Sequence, residues 1–184
     1  VAEFCDRYDI PLHRGGTRVE AGKKGLEAAA RDARYAFLRQ LDGKIATAHT
    51  ADDNAETVLM HLVRGTGLKG LGGITPVSGN VIRPMLDIQR QEVEDFCEEW
   101  CLPYIQDSSN QTDQFLRNRV RHRVMPLLKE INPRAAEHMG TTARQLRTVD
   151  RSLDEDALRR TAHMEVQDGR VTLSWETLSE APWS

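Results

Sequence analysis

Cysteine is scarce: three in 184 residues cannot build the disulfide framework of a small secreted scaffold. Cys97 and Cys101 stand four apart on a predicted helix, so they share a face. A structural zinc site needs four ligands, and no further Cys–His cluster completes one. No metal site is predicted, and both residues are read as buried or half-buried thiols in a reducing cytoplasm. Long apolar runs are also missing. None approaches the roughly 20 residues of a membrane helix, so no membrane partner is expected. No basic-then-apolar leader opens the chain. Neither sign of charge dominates: the net charge is −3 and the pI about 6.1, which gives no global signal for nucleic acid. The sequence begins without Met, and Val1, Phe4, Cys5 and Tyr8 already follow helical spacing. A preceding segment is therefore expected, and the ends at Val1 and Ser184 read as cut points.

What is present suits a soluble globular domain: 39% hydrophobic and 29% charged residues, enough to bury a core. Residues 2–8 read as the end of a helix and Ile10–His13 as a short strand entered through Pro11. Residues 14–24 read as a loop. Gly25 to Leu41 carries an apolar stripe of helical period. Lys44–Ala48 is a short, nearly unbroken apolar strand, typical of a buried parallel sheet. Asp53 to Arg64 is a helix with Ala55, Val58, Leu59, Leu62 and Val63 on one face. Six glycines between 65 and 79 predict a long flexible loop. Val81–Pro84 is a brief strand. Gln89 to Cys101 is a helix with Val93, Phe96, Cys97 and Trp100 inward. Residues 106–114 form a polar turn region, with helix resuming near Gln114 and again toward Leu128. Ala135 to Ala162 is one long charged helix. Asp168-Gly169 between two short strands signals a hairpin. This alternation predicts an α/β fold with a doubly wound, mostly parallel sheet. It is truncated at its N-terminus and followed by a long helix and the start of a small α+β domain. The boundary falls near residues 132–150, dividing a catalytic part, 1–132, from a connector and C-terminal part, 133–184.

Chemistry concentrates where the strand 44–48 runs into a helix. His49-Thr50-Ala51-Asp52-Asp53-Asn54-Ala55-Glu56-Thr57 sets three acids within five residues. Ligands of open α/β sheets sit at the carboxyl ends of strands. Asp52 or Thr50 can cap the helix, and first-turn acids suit its dipole. One acid is enough for that. Asp53 and Glu56 share a helical face and can together hold Mg²⁺, orient an ammonium group or act as a base. Arg31 and Arg34, one turn apart, can clamp a phosphate or sit on a salt-bridged surface. Arg117 and Arg121, at i and i+4, suit ATP phosphates or an RNA backbone. They belong to a basic run at 117–123 that also reads as a solvated helix face.

These stretches occur in a specific order. Ala30-Arg31-x-x-Arg34-Tyr35 precedes His49-x-x-Asp52-Asp53-x-x-Glu56-Thr57. Arg64-Gly65-Thr66-Gly67-Leu68-x-Gly70-Leu71 follows, then Arg83-Pro84-Met85-Leu86 with Arg90 and Glu92. Asp107-x-Ser109-Asn110-x-x-Asp113 leads into Arg117-Asn118-x-x-Arg121 and Pro126-x-Leu128. Over residues 1–135 the series resembles the tRNA(Ile)-lysidine synthetase family.

The resemblance implies a PP-loop ATP pyrophosphatase domain of the adenine nucleotide α-hydrolase type, a cytoplasmic ligase that uses ATP with Mg²⁺. In that reaction ATP adenylates the C2 oxygen of the wobble cytidine in tRNA-Ile with a CAU anticodon. The ε-amine of free L-lysine then displaces AMP. Carried over, Asp53 is the catalytic acid and Glu56 helps hold the ammonium. Asp52, His49 and Arg34 line the substrate site, and Arg31 stabilises charge on phosphates or the activated base. Arg117 and Arg121 grip the nucleotide phosphate, with Gly65 and Gly67 in a mobile loop over the site. No resident metal is assigned to these side chains. The family's Ser-Gly-Gly-x-Asp-Ser phosphate loop belongs upstream of Val1. Without it this chain alone is expected neither to hydrolyse ATP nor to make lysidine. The sheet edge left open would favour pairing between two copies. His61 and Asn54 stand where the family more often has Arg and Gln, read as tolerated variation. Two other readings stand beside this one. A thiolase-type PP-loop enzyme is disfavoured by the Cys97-x-x-x-Cys101 spacing. A non-catalytic RNA-binding module is disfavoured by an acidic chain with 5% aromatics.

Overall fold

The computed structural model describes residues 1–20, 26–105, 116–162, 165–167 and 170–172. The polar run 106–114, the turn at Asp168-Gly169 and the stretch 173–184 lie outside these. In chain order the elements are α1 (Ala2–Arg7), α2 (Leu26–Leu38), β1 (Ile45–Ala46), α3 (Ala51–Arg64) and α4 (Leu68–Leu71). Next come β2 (Val77–Ser78), β3 (Val81–Ile82), α5 (Arg90–Glu99) and α6 (Leu116–Arg119). A π-helical turn (Val120–Val124) leads into α7 (Met125–Ile131), α8 (Ala135–Thr161), β4 (Glu165–Gln167) and β5 (Arg170–Thr172). No helix among the described residues is long and apolar enough to cross a membrane.

The chain divides into two compact units. The first comprises Val1–Ala46 and Gly79–Ile82, the second Thr47–Ser78 and Arg83–Ser184. In the first, β1 and β3 run parallel, with Ile45 opposite Val81 and Ala46 opposite Ile82. The expected strand 44–48 is reduced to two residues. Its partner is cut short by Pro84, which has no N–H to donate and restricts the residue before it. Ile45 is buried and Ala46 exposed, so the strand is half-buried rather than enclosed. Residues 10–13 form no strand. Pro11 donates nothing to a ladder, Ile10 instead donates its N–H to the Cys5 carbonyl, and both Ile10 and Leu12 stay exposed.

The second unit is mainly helical. Ala55, Val120, Met125 and Ala136 form its buried centre, flanked by Leu59, Met60, Leu128 and Met139. Ala136 and Ala143 are both essentially sealed off, and such small residues let α8 lie close against its neighbours. The apolar face of α3 differs from the predicted one: Leu62 and Val63 are 59% and 78% exposed. Similarly, α5 has no buried residue. Phe96 and Trp100 point outward and pack on each other with ring centroids 5.8 Å apart. Cys97 is half-buried, but Cys101 is exposed at a positive φ of 50°. Here helical spacing revealed that apolar residues share a side, not that the side faces the core.

The glycine-rich segment is more ordered than a long flexible loop. Gly67 precedes the helical turn α4, and His61 Nδ1 donates to the Gly70 carbonyl at 2.7 Å. Ile74 N–H donates to Asn54 Oδ1 at 2.7 Å. Gly73 is glycine for two reasons: its φ is +64°, and an added Cβ would lie 2.4 Å from Asn54 Oδ1.

Between α6 and α7 the helix widens by one residue. Met125 N–H bonds the Val120 carbonyl, an i→i−5 contact. Pro126 explains this: it cannot bond the His122 carbonyl, and its ring crowds that oxygen. The long helix α8 matches its predicted extent. The antiparallel pairing of Glu165 with Thr172 and Gln167 with Arg170 matches the predicted hairpin.

Candidate functional site

Helix α3 begins with a reciprocal cap. Asp53 N–H donates to Thr50 Oγ1 at 3.4 Å, and Thr50 N–H donates to Asp53 Oδ2 at 2.9 Å. Thr50, not Asp52, is thus the cap, as a short hydroxyl in extended backbone allows. Asp52 serves a different helix. Its Oδ2 accepts the Arg90 N–H at 2.8 Å, at the start of α5, and its Oδ1 accepts Lys129 Nζ at 2.7 Å. The backbone N–H of Ala51 bonds the Ile88 carbonyl, which ties the two helix starts together.

All six residues from Ala51 to Glu56 are buried. The carboxylates among them are met by cations from the helix 116–131. Arg121 Nε and Nη2 donate to the two oxygens of Glu56 at 2.6 and 2.9 Å, a bidentate grip. Arg121 Nη2 also reaches Asp53 Oδ1 at 2.9 Å. Arg117 donates to Glu56 Oε2 at 3.0 Å and to Asp53 Oδ1 at 3.1 Å. Arg90 approaches Asp53 more loosely, at 3.7 Å. Glu56 is 1% exposed, and these two guanidiniums balance its charge among the described residues. A cavity of about 250 Å³ opens beside the network, lined by Asp52, Glu56, Arg90, Arg121, Lys129 and the apolar Met125 and Pro126.

Burial alone would raise the pKa of Asp53. The Thr50 N–H and the charges of Arg117 and Arg121 outweigh it and hold the carboxyl below its ordinary value. Burial opposes ionisation of Asp52 likewise, and the Arg90 N–H with Lys129 again prevails. Burial acts to lower the pKa of Arg121, but its bonds to Glu56 and its proximity to Asp53 raise it above normal. Both aspartates therefore stay ionised at neutral pH and act as fixed charges. A carboxylate with a depressed folded pKa contributes stability above its unfolded pKa, about 3.9, and loses it as pH falls through the folded value. The thermal midpoint is expected to hold above about pH 5 and to fall progressively below pH 4. A midpoint unchanged down to pH 3 would contradict this.

The geometry gathers Asp52, Asp53, Glu56, Arg117 and Arg121 into one network. His49 stands just before it, its Nδ1 2.9 Å from Thr47 Oγ1. Gly65 ends α3 with φ of 77°, and Gly67 caps α4. Arg31 and Arg34 are exposed on α2 in the other unit, where Arg31 lies over the Tyr35 ring at 5.7 Å. Three contributors went unassigned in the sequence. Lys129 continues the four-residue spacing of Arg117, Arg121 and Met125, which was the available signal. Arg90 follows the Arg83-Pro84-Met85-Leu86 motif, and spacing along the chain gives no sign that it faces Asp53. Asn54, read as mere variation, anchors Ile74. The acids give their oxygens to arginine, lysine and backbone N–H groups, so this donor set does not fit Mg²⁺. No group of three or more His, Cys, Asp or Glu is arranged for a metal ion among the described residues.

Compared with known proteins, residues 1–128 match the family model of the PP-loop domain. That defines the class: an α/β domain of the adenine nucleotide α-hydrolase fold. The chain is 42% identical over 135 residues to a Thermosipho africanus protein named tRNA(Ile)-lysidine synthase, covering 71% of this chain and 30% of that one. It is 39% identical over 196 residues to the protein of that name from Geobacter sulfurreducens, covering 99% and 41% respectively. With the Porphyromonas gingivalis protein so named, identity is 42% over 160 residues, covering 81% and 35%. The chain belongs to the tRNA(Ile)-lysidine synthase family of PP-loop proteins. It spans between 30% and 41% of the length of these curated relatives.

Proposed function

We propose that this chain supplies part of the active site of a tRNA(Ile)-lysidine synthase. ATP adenylates the C2 oxygen of the wobble cytidine in tRNA-Ile with a CAU anticodon, releasing pyrophosphate. The ε-amine of free lysine then attacks C2 and displaces AMP. The observation that carries the proposal is the shared network in which Asp53 and Glu56 meet Arg117 and Arg121. Adenylyl transfer chiefly needs positioning and cations beside phosphate oxygens. An amine nucleophile needs a carboxylate to hold it.

In this scheme Asp53 is a permanent negative charge for the incoming ammonium, which can take over the loose place of Arg90. Glu56 fixes Arg117 and Arg121, and an amine reaches it only by displacing one of them. The two arginines turn their remaining donors to the nucleotide phosphate, while Asp52 and His49 shape the substrate side. Arg31 and Arg34 act on the phosphates or the activated base. Gly65 and Gly67 belong to the segment Gly65–Gly73, which covers the site. The catalytic part, 1–132, belongs to a doubly wound, mostly parallel sheet. Residues 133–184 connect to tRNA-recognising parts in a cytoplasmic enzyme.

The test uses the natural protein with ATP, labelled lysine and a tRNA-Ile transcript carrying CAU. Label is expected to enter the tRNA only when ATP is present, with one AMP and one pyrophosphate per lysine. Absence of label, or incorporation without ATP, rules the assignment out. Sulfur transfer in place of lysine would favour a thiolase.

A further inference from the structure

The basic residues of α8 are not explained by the site just described. Arg144, Arg147 and Arg151 fall at i, i+3 and i+7 and share one helix face. From outside the helix Asp87 meets them: Arg144 Nη1 donates to Asp87 Oδ1 at 3.0 Å. That pair is open to water, with side-chain exposures of 54% and 78%, and such pairs contribute little. Arg151 is exposed and has no carboxylate within bonding distance among the described residues. The next turn carries Asp154 and Glu155, where the stripe ends.

Arg147 is spent differently. Its Nη1 donates to the carbonyls of Gly72 and Ile74, the latter at 3.2 Å. Its stem lies so close over Gly72 that an added Cβ there would fall 2.7 Å from Arg147 Cγ. Burial and the like charges of Arg144 and Arg151 hold the Arg147 pKa down, against the pull of Asp87. Over the two turns before Asp154 and Glu155, the three guanidiniums concentrate positive charge on a chain whose net charge is −3.

We infer that Arg144 and Arg151 form a docking stripe for the phosphate backbone of the tRNA, with Arg147 securing the glycine segment beside it. The inference rests on the proposed tRNA-modifying function and deepens it by naming where the nucleic acid lies. Seven residues of helix separate the outer arginines by roughly 10 Å along the axis. A nucleic-acid strand carries a phosphate about every 3.4 Å of axis, so the stripe spans two or three. Guanidinium forks suit phosphate oxygens bidentately, and such contacts position a nucleic acid without reading its sequence.

The test is fluorescence anisotropy of labelled tRNA with the natural protein and its Arg144→Glu/Arg151→Glu variant, across 50–200 mM salt. Arg147 is left intact because it holds the segment 72–74. The log–log salt slope is expected to fall by about one per arginine. The wild type should therefore lose about tenfold more affinity than the variant across that range. The loss should be equal for tRNA-Ile and an unrelated tRNA, and Arg144→Lys/Arg151→Lys should restore most of the slope. Unchanged slope and affinity in a variant with a wild-type melting curve overturn the stripe alone. Failure of the wild type to bind tRNA-Ile overturns the proposed function, and the stripe with it.

Discussion

Asp53→Asn in the natural protein is expected to lower lysine incorporation roughly 10²–10³-fold, the usual cost of removing one preorganised electrostatic partner. Asparagine keeps the size of the side chain and one oxygen for the Thr50 cap. It removes the negative charge that now meets Arg90, Arg117 and Arg121. Because Arg117 and Arg121 retain Glu56, the fold should survive with a loss of about 1–3 kcal/mol. The defect should therefore lie in the lysine-dependent release of AMP, measured by single-turnover assays on adenylated tRNA. Wild-type turnover in this variant would remove Asp53 from the mechanism.

Glu56→Ala should instead act on stability. The carboxylate is 1% exposed and binds two guanidiniums with both oxygens. Its removal leaves two partly buried cations with Asp53 as the carboxylate they bond among the described residues. Breaking such a cluster costs about 3–5 kcal/mol. For a chain of this size each kcal/mol lowers the melting temperature by about 2–4 °C, so a fall of roughly 6–20 °C is expected by circular dichroism. Replacing Arg117 with methionine in the same molecule should recover part of it, since one orphaned charge is then gone. A melting temperature within about 2 °C of wild type would show that the arginines rest on other partners.

These two outcomes separate what the sequence disclosed from what it concealed. The start of α3 was legible because capping is local: a hydroxyl, an acid three residues on and an apolar period are written within seven positions. The span of α8 and the pairing of β4 with β5 were legible for the same reason. The partners of the acids were not. Asp52 lies 38 residues from Arg90 and 77 from Lys129, and spacing along one helix says nothing about a second helix that packs on it. The outward turn of Phe96 and Trp100 was hidden similarly, because period alone does not tell a core face from an exposed one. The brevity of β1 depended on Pro84, far along the chain. The order at residues 70–74 came from Asn54, His61 and Arg147, which lie outside the segment itself.

The extra residue at Val120–Val124 has a consequence for how this region tolerates change in length. Each residue of an α-helix turns the next by about 100°. Deleting Val124 from the widened turn would remove its extra residue and rotate Arg117 and Arg121 by that angle against Lys129. The arginines would then swing away from Glu56 while the lysine stayed on Asp52. Pro126 thus sets the phase between two halves of one charge cluster. A single-codon deletion here would uncouple them without altering any of the charged residues.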